Sequence, residues 1–289
     1  MKDSSEWIQM ESILGSDQHI PAYGGFQMPV EALERAASSL NAGTVPMLAS
    51  HDQTKPLRTR RHDARVEKRE DGVTVLRLRY QIHPEDVHLV AGMGAMSMAL
   101  QAPLESRAAS FEPPSPLVGF LAGDHAWFTD EVLEAAETQL RSQASIEARR
   151  VYQFELVPDP QIYLELAWNV FSILASGVAG NALYDALKTL FRRRKVPDGS
   201  DASVPTKVNL VVKDGDRELK ATVETGDEEV ALEAARALGK VADGFFELPP
   251  PRAAASPTSL AAVNDQVAQP KSALLLWDKT SRTWAPRDP

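Results

Sequence analysis

Cysteine is absent from the chain. Disulfides, thiolate nucleophiles and cysteine-based metal sites are therefore excluded. Histidine is scarce, with six in 289 residues. No HExxH, EF-hand loop or i,i+4 histidine pair occurs, so metal-assisted hydrolysis has no support. His83 and His88 stand five apart around Pro84, poor ligand spacing on any regular element. No Walker loop is present, and GMGAMS lacks the third glycine of a dinucleotide fingerprint. No cofactor is expected. Positive charge is also short: 31 Lys and Arg face 40 Asp and Glu, a net of −9. Phosphate contacts need clustered cations, so a nucleic-acid partner is not expected. The opening MKDSSEWIQMES lacks the apolar run of a secretory signal, and a cytoplasmic setting is the expectation.

What is present fits ordinary globular packing. Hydrophobic residues make up 43% and charged residues 25%, and the length allows one large domain or two modest ones. The charge-free stretch 166–184, LAWNVFSILASGVAGNALY, approaches bilayer length and is followed by RRRK. Its polar residues and glycines dilute it, and Trp168, Phe171, Leu174 and Val178 recur at helical steps. A buried helix is expected there, not a membrane span. The two basic runs, RTRRHDAR and RRRK, read as a solvated face or a helix end.

Along the chain, residues 7–14 suit a strand, and PAYGGFQMP is turn chemistry. Pro29 opens a helix that Gly43 stops. TVPMLASH is a short apolar run ending on His51. ARVEKRE and VTVLRLRYQIH then flank Asp71–Gly72, a strong hairpin signal. TDEVLEAAETQLRSQASIEARR is a helix capped by Thr129 or Asp130, and VYQFELV is a strand. One long helix is expected over 162–194. A second hairpin around Asp214–Gly215 leads into the helix DEEVALEAARALGKVAD. The Pro/Ala/Ser-rich stretch 249–271 reads as linker, before SALLLWDKTSRTWAP.

His51 at a strand end and Ser97 among small apolar residues remain as chemistry. A serine hydroxyl is a weak nucleophile until a hydrogen-bonded imidazole takes its proton, and a third polar group can hold the imidazole tautomer. Local physics alone does not single out this pair.

The order of the pieces does carry a resemblance. GTVPMLASHDQTKPL, an Asp-Gly hairpin, and GAMSMAL with its serine 46 residues past the histidine resemble the prohead (capsid maturation) serine proteases of tailed phages. Those enzymes share the fold of the herpesvirus assemblins. HIPAYGGFQMPVEALERAASSLNAG is likewise similar to the family's polar loop and helix ahead of the histidine, so the likeness covers residues 8–165. It implies an α+β chain with a mainly antiparallel, barrel-like protease domain and flanking helices over 1–163. A long helix plus a ββα module follows at 164–247, then linker 248–272 and a C-terminal hairpin or tail, 273–289. His51 takes the place of the family's general base and Ser97 that of its nucleophile. Glu155, in FELVPDP, is nominated as third member, with His125 and Asp124 as rivals. Two departures stand out: Arg58 where the family's turn has glycine, and Ala99 where the glycine of its SxG motif falls. The stretch SGVAGNALYDALKTLFRRR with the following hairpin and helix resembles a small module of bacterial conflict-system proteins, which implies association or signalling.

Two functions follow as expectations. One is a serine endopeptidase acting on protein substrates, in virion maturation or a related setting, and capable of cutting itself. The other is an inactive protease-fold protein that assembles with partner chains or with further copies of itself, the SALLLWDKTSRTWAP segment adding strands to a neighbour through Trp277 and Trp284.

Overall fold

A computed structural model describes residues 7–43, 47–48, 55–90, 99–105, 118–142, 144–153, 158–175, 181–198, 200–246 and 272–286. The chain opens with strand β1 (Ile8–Ser16), the short pair β2 (His19–Ile20) and β3 (Phe26–Gln27), and helix α1 (Val30–Asn41). Strands β4 (Thr59–Lys68) and β5 (Thr74–Ile82) and the one-turn α2 (Val87–Val90) follow. β1, β5 and β4 form an antiparallel sheet with β5 central. The alternation in β5 decides its orientation: Leu76, Leu78, Tyr80 and Ile82 are fully buried, and α1 lays Leu33, Ala37 and Leu40 over them. Polar residues of the sheet neutralise one another, Arg77 bonding Glu11 and Glu67 while Arg79 bonds Glu11. Gly72 adopts φ +87° in the β4–β5 turn, a backbone state costly for any residue with a Cβ.

The rest builds one eight-stranded mixed sheet. Its strands are β6 (Ala99–Pro103), β7 (Gly119–Asp124), β8 (Ile146–Gln153), β9 (Gln161–Ala167), β10 (Thr206–Asp214), β11 (Arg217–Thr225), β12 (Ser272–Asp278) and β13 (Thr283–Pro286). In space they run β13-β12-β11-β10-β9-β7-β8-β6. Three parallel pairs, β7–β8, β9–β10 and β11–β12, need crossovers, which helices supply. Helix α3 (Asp130–Arg141) links the first pair, α4 (Trp168–Ala175) and α5 (Asn181–Arg192) the second, and α6 (Glu228–Phe246) the third. All four helices share one core with alternate residues of the strands, including Leu121, Ile162, Leu164, Val208, Leu210 and Leu219. The opposite face carries Glu147, Arg149, Glu165, Lys213, Glu218 and Lys220, with a small apolar strip at Ala122, Val151 and Tyr163. β7 and β9 approach so closely at Gly119 that an added Cβ would stand 2.2 Å from the Glu165 carbonyl oxygen.

The architecture is α+β with mostly antiparallel pairing, and no closed barrel exists among the described residues. The sheet cannot close on itself because β9 turns its second edge to β10, so the C-terminal half extends it in one direction. The single helix expected over 162–194 is replaced by β9, α4 and α5. Ile162, Leu164 and Leu166 face the core while Tyr163 and Glu165 face away, a period of two that makes a strand of the residues leading into the charge-free stretch. No described helix is long and apolar enough to cross a membrane.

The C-terminal hairpin completes this chain's own sheet. β12 pairs in parallel with β11, Trp277 and Trp284 meet edge to face at 5.2 Å, and Trp284 Nε1 donates to the Ala234 carbonyl at 2.9 Å. Trp277→Ala empties a core position and should cost about 3–5 kcal/mol in chemical denaturation. Leu276→Ala, on the exposed face of the same strand, should stay within about 0.5 kcal/mol. Equal effects would contradict this placement of the hairpin.

Candidate active site

Ser97, His51 and Glu155 lie outside the described residues, so their side chains have no geometry here. Their described flanks are informative. Leu48 bridges Pro56 and Leu57 N–H donates to the Met47 carbonyl at 2.9 Å, so the described residues on either side of His51 in sequence pair with each other. Met47 and Leu57 belong to the small sheet's core. At the other pole, Ala99 opens β6 directly opposite Gln153, which ends β8. Ser97 precedes the first by two residues and Glu155 follows the second by two.

Both rival residues are described, at the end of β7 beside that register pair. Asp124 is fully buried. It accepts hydrogen bonds from the Tyr23 hydroxyl at 2.6 Å, Gln153 Nε2 at 3.0 Å and Ala126 N–H at 2.9 Å. The Tyr23 oxygen accepts in turn from Gln153 N–H at 2.7 Å. The network continues from Gln153 Nε2 to the Asp159 carbonyl and from Gln161 Nε2 to Gln153 Oε1, and Gln161 Oε1 accepts a hydrogen bond from the Tyr163 hydroxyl. Burying a carboxylate requires such a set of donors. These partners give Asp124 a structural task.

His125 turns the other way. Its N–H donates to the Val151 carbonyl, and its ring leans on Tyr152 at 5.5 Å. Nδ1 is buried without a hydrogen bond, 3.7 Å from Asp130 Oδ1. Asp130 begins α3 behind the cap residue Thr129 and is gripped by Arg150, at 2.6 Å from Nε and 2.5 Å from Nη2. It also accepts from Glu105 N–H at 2.9 Å, and Arg150 reaches Tyr152 and the Glu105 carboxylate. Glu105, His125, Thr129, Asp130, Glu131 and Glu134 line an open cleft of about 430 Å³.

The charges set the protonation states. Burial, then the Arg150 guanidinium, hold the His125 imidazole below its usual pKa, against the weaker pull of Asp130. Burial opposes the Asp130 charge, but hydrogen bonds from Arg150 and from Glu105 N–H outweigh it and keep that carboxyl below the usual range. Arg150 is raised, first by Asp130. His125 is thus a neutral imidazole at the rim of an acid-lined cleft, able to accept a proton or a hydrogen bond.

The Asp130–Arg150 pair, twenty residues apart, had no sequence signal beyond the cap at Thr129 or Asp130; IEARR, expected as the end of that helix, instead opens β8, because α3 stops at Arg141. The two basic runs are absorbed by the fold: Arg58 clamps Asp86 and Glu85, Arg192 pairs with Glu228, and Arg194 donates to Ala202, Val204 and Thr206. No family model, curated protein or solved structure matches the chain.

The pH dependence follows from the lowered His125 pKa. The unfolded chain takes up this proton near pH ~6.5, while the folded chain resists until lower pH. The stability tied to His125 is therefore complete above about 6.5 and is lost as pH falls from there through the folded pKa. Melting temperatures of wild type and His125→Gln between pH ~7.5 and ~5 test this, the wild type falling more steeply. Parallel curves would contradict it.

Proposed function

We propose that this chain is a cytoplasmic serine endopeptidase of the prohead-protease type, with its reaction centre at the end of the large sheet where β6 begins and β7 and β8 end. The resemblance supplies the chemistry, and one observation carries the location. The register pair Ala99–Gln153, two residues from Ser97 and from Glu155 in sequence, adjoins His125, whose N–H is bonded to Val151. The described strands next to Ser97 and Glu155 in sequence, and His125 after β7, lie at one sheet end, which supports this location.

In this reading Ser97 Oγ attacks the scissile carbonyl while His51 takes its proton and returns it to the leaving amine. Glu155 or His125 orients His51, and water then releases the acyl group from Ser97. β6 is an edge strand among the described residues, and a free edge suits an extended protein substrate held by main-chain hydrogen bonds. The Pro/Ala-rich 249–271 is a natural place for self-cleavage.

A second reading has its own support. The open sheet and the use of Arg58 as an ion-pair clamp where the family has glycine favour a protein that has kept parts of the fold for assembly, in a phage or a bacterial conflict system.

Intact-mass analysis of purified wild type, Ser97→Ala and His51→Ala, alone and with a casein-like substrate, separates the two. Trimming by wild type, reduced at least about a thousandfold in either variant, is expected of the peptidase. Identical behaviour of all three proteins favours the assembly reading.

A further inference from the structure

One carboxylate, that of Asp130 at the head of α3, ties three elements together. Its Oδ1 accepts from Arg150 Nε of β8 at 2.6 Å. Its Oδ2 accepts from Arg150 Nη2 at 2.5 Å and from the N–H of Glu105, just past β6, at 2.9 Å. Arg150 Nη2 also reaches Glu105 Oε2 at 3.0 Å, so helix, inner strand and outer strand meet in one charged junction. His125 stands beside it, with Nδ1 buried, without a hydrogen bond and 3.7 Å from Asp130 Oδ1. The side chain as a whole is 28% exposed and lines the open cleft, so a proton can reach the ring from water.

That separation is too long for a hydrogen bond and short enough to become one. A neutral imidazole carries hydrogen on one nitrogen, whereas the charged ring carries it on both. A charged Nδ1–H beside a carboxylate gains a strong bond by closing to about 2.8 Å, a movement of under about 1 Å. We infer that His125 is a proton-operated switch: once protonated, its Nδ1–H takes Asp130 Oδ1 in competition with Arg150 Nε and so re-ties the junction of β6, β8 and α3. The switch involves neither Ser97 nor His51 and stands apart from the peptidase reading.

The groups around the ring set the direction of the switch. From β8, the Arg150 guanidinium repels an imidazolium, and Tyr152 supplies an aromatic contact. From α3, Asp130 attracts it, and Glu131 and Glu134 line the same cleft. Glu105, past β6, attracts it, and Lys195, past α5, repels it. On the same turn, Asp124 is occupied by Tyr23, Gln153 and Ala126. Burial and the two cations keep the ring neutral near pH 7, so the grip of Arg150 on both Asp130 oxygens is the resting state. Below pH about 6.5 the ring begins to charge. Imidazolium and guanidinium then share one carboxylate while repelling each other. Arg150 yields Oδ1 and retains Glu105 as its other carboxylate. The Glu105 N–H, bonded to Oδ2, follows any rotation of the Asp130 carboxylate.

Nuclear magnetic resonance of the isotope-labelled full chain, titrated from pH ~7.5 to ~5, reads each partner separately. The His125 ring nitrogens, the Arg150 Nε–H and the Glu105 N–H should shift together, with one midpoint below about 6.5. The Arg192 Nε–H, paired with Glu228 on the helix layer, serves as an internal control and should stay in place. In His125→Gln the Arg150 and Glu105 signals should lose that transition, which separates the effect of the ring from titration of the cleft glutamates. Arg150 and Glu105 signals that stay fixed while His125 titrates would overturn the switch. The same transition persisting in His125→Gln would overturn it as well. Loss of all native signals before the ring charges would also overturn it, because the switch must operate within the folded chain.

Discussion

A buried carboxylate governs how this molecule is put together. Asp124 sits at the end of β7 with no exposure to water, and a lone carboxylate there would be untenable. Its oxygens accept from the Tyr23 hydroxyl, the Gln153 side chain and the Ala126 amide. Those three donors come from the N-terminal segment, from β8 and from the turn that launches α3. One buried carboxyl group therefore ties the N-terminal segment to the end of the large sheet.

The neighbouring residues divide the work. Asp124 looks inward and is spent on structure, whereas His125 faces the acid-lined cleft with its ring steadied by Tyr152. Arg150 serves both sides, gripping Asp130 at the head of α3 and adding to burial, the larger cause, in holding the imidazole pKa down. β6 lies next to this arrangement as a free edge among the described residues. The proposed peptidase would use this sheet end and its open edge to hold an extended substrate.

Much of the local structure was legible in the sequence. Period-two alternation revealed β5, Asp-Gly pairs marked both hairpins, and Gly43, with φ +68°, ended α1. Long-range pairing was not legible. A run such as QIYLELAWNVFSILA changes from strand to helix with no proline or glycine between, so nothing local marks the boundary. The parallel pairings that extend the sheet depend on contacts between segments tens of residues apart, which no local pattern encodes. The site showed the same split. His125 and Asp124 were singled out, but their opposite roles depend on Tyr23, Gln153, Asp130 and Arg150, which only the fold assembles.

The claim at the centre is that this sheet end carries an activated serine, and a serine-directed fluorophosphonate probe interrogates it without a known substrate. Incubation of the full chain at neutral pH, followed by peptide mapping, should find one dominant adduct on Ser97. The adduct should disappear in His51→Ala. Absence of labelling, or labelling scattered over surface serines and indifferent to His51, would contradict the account.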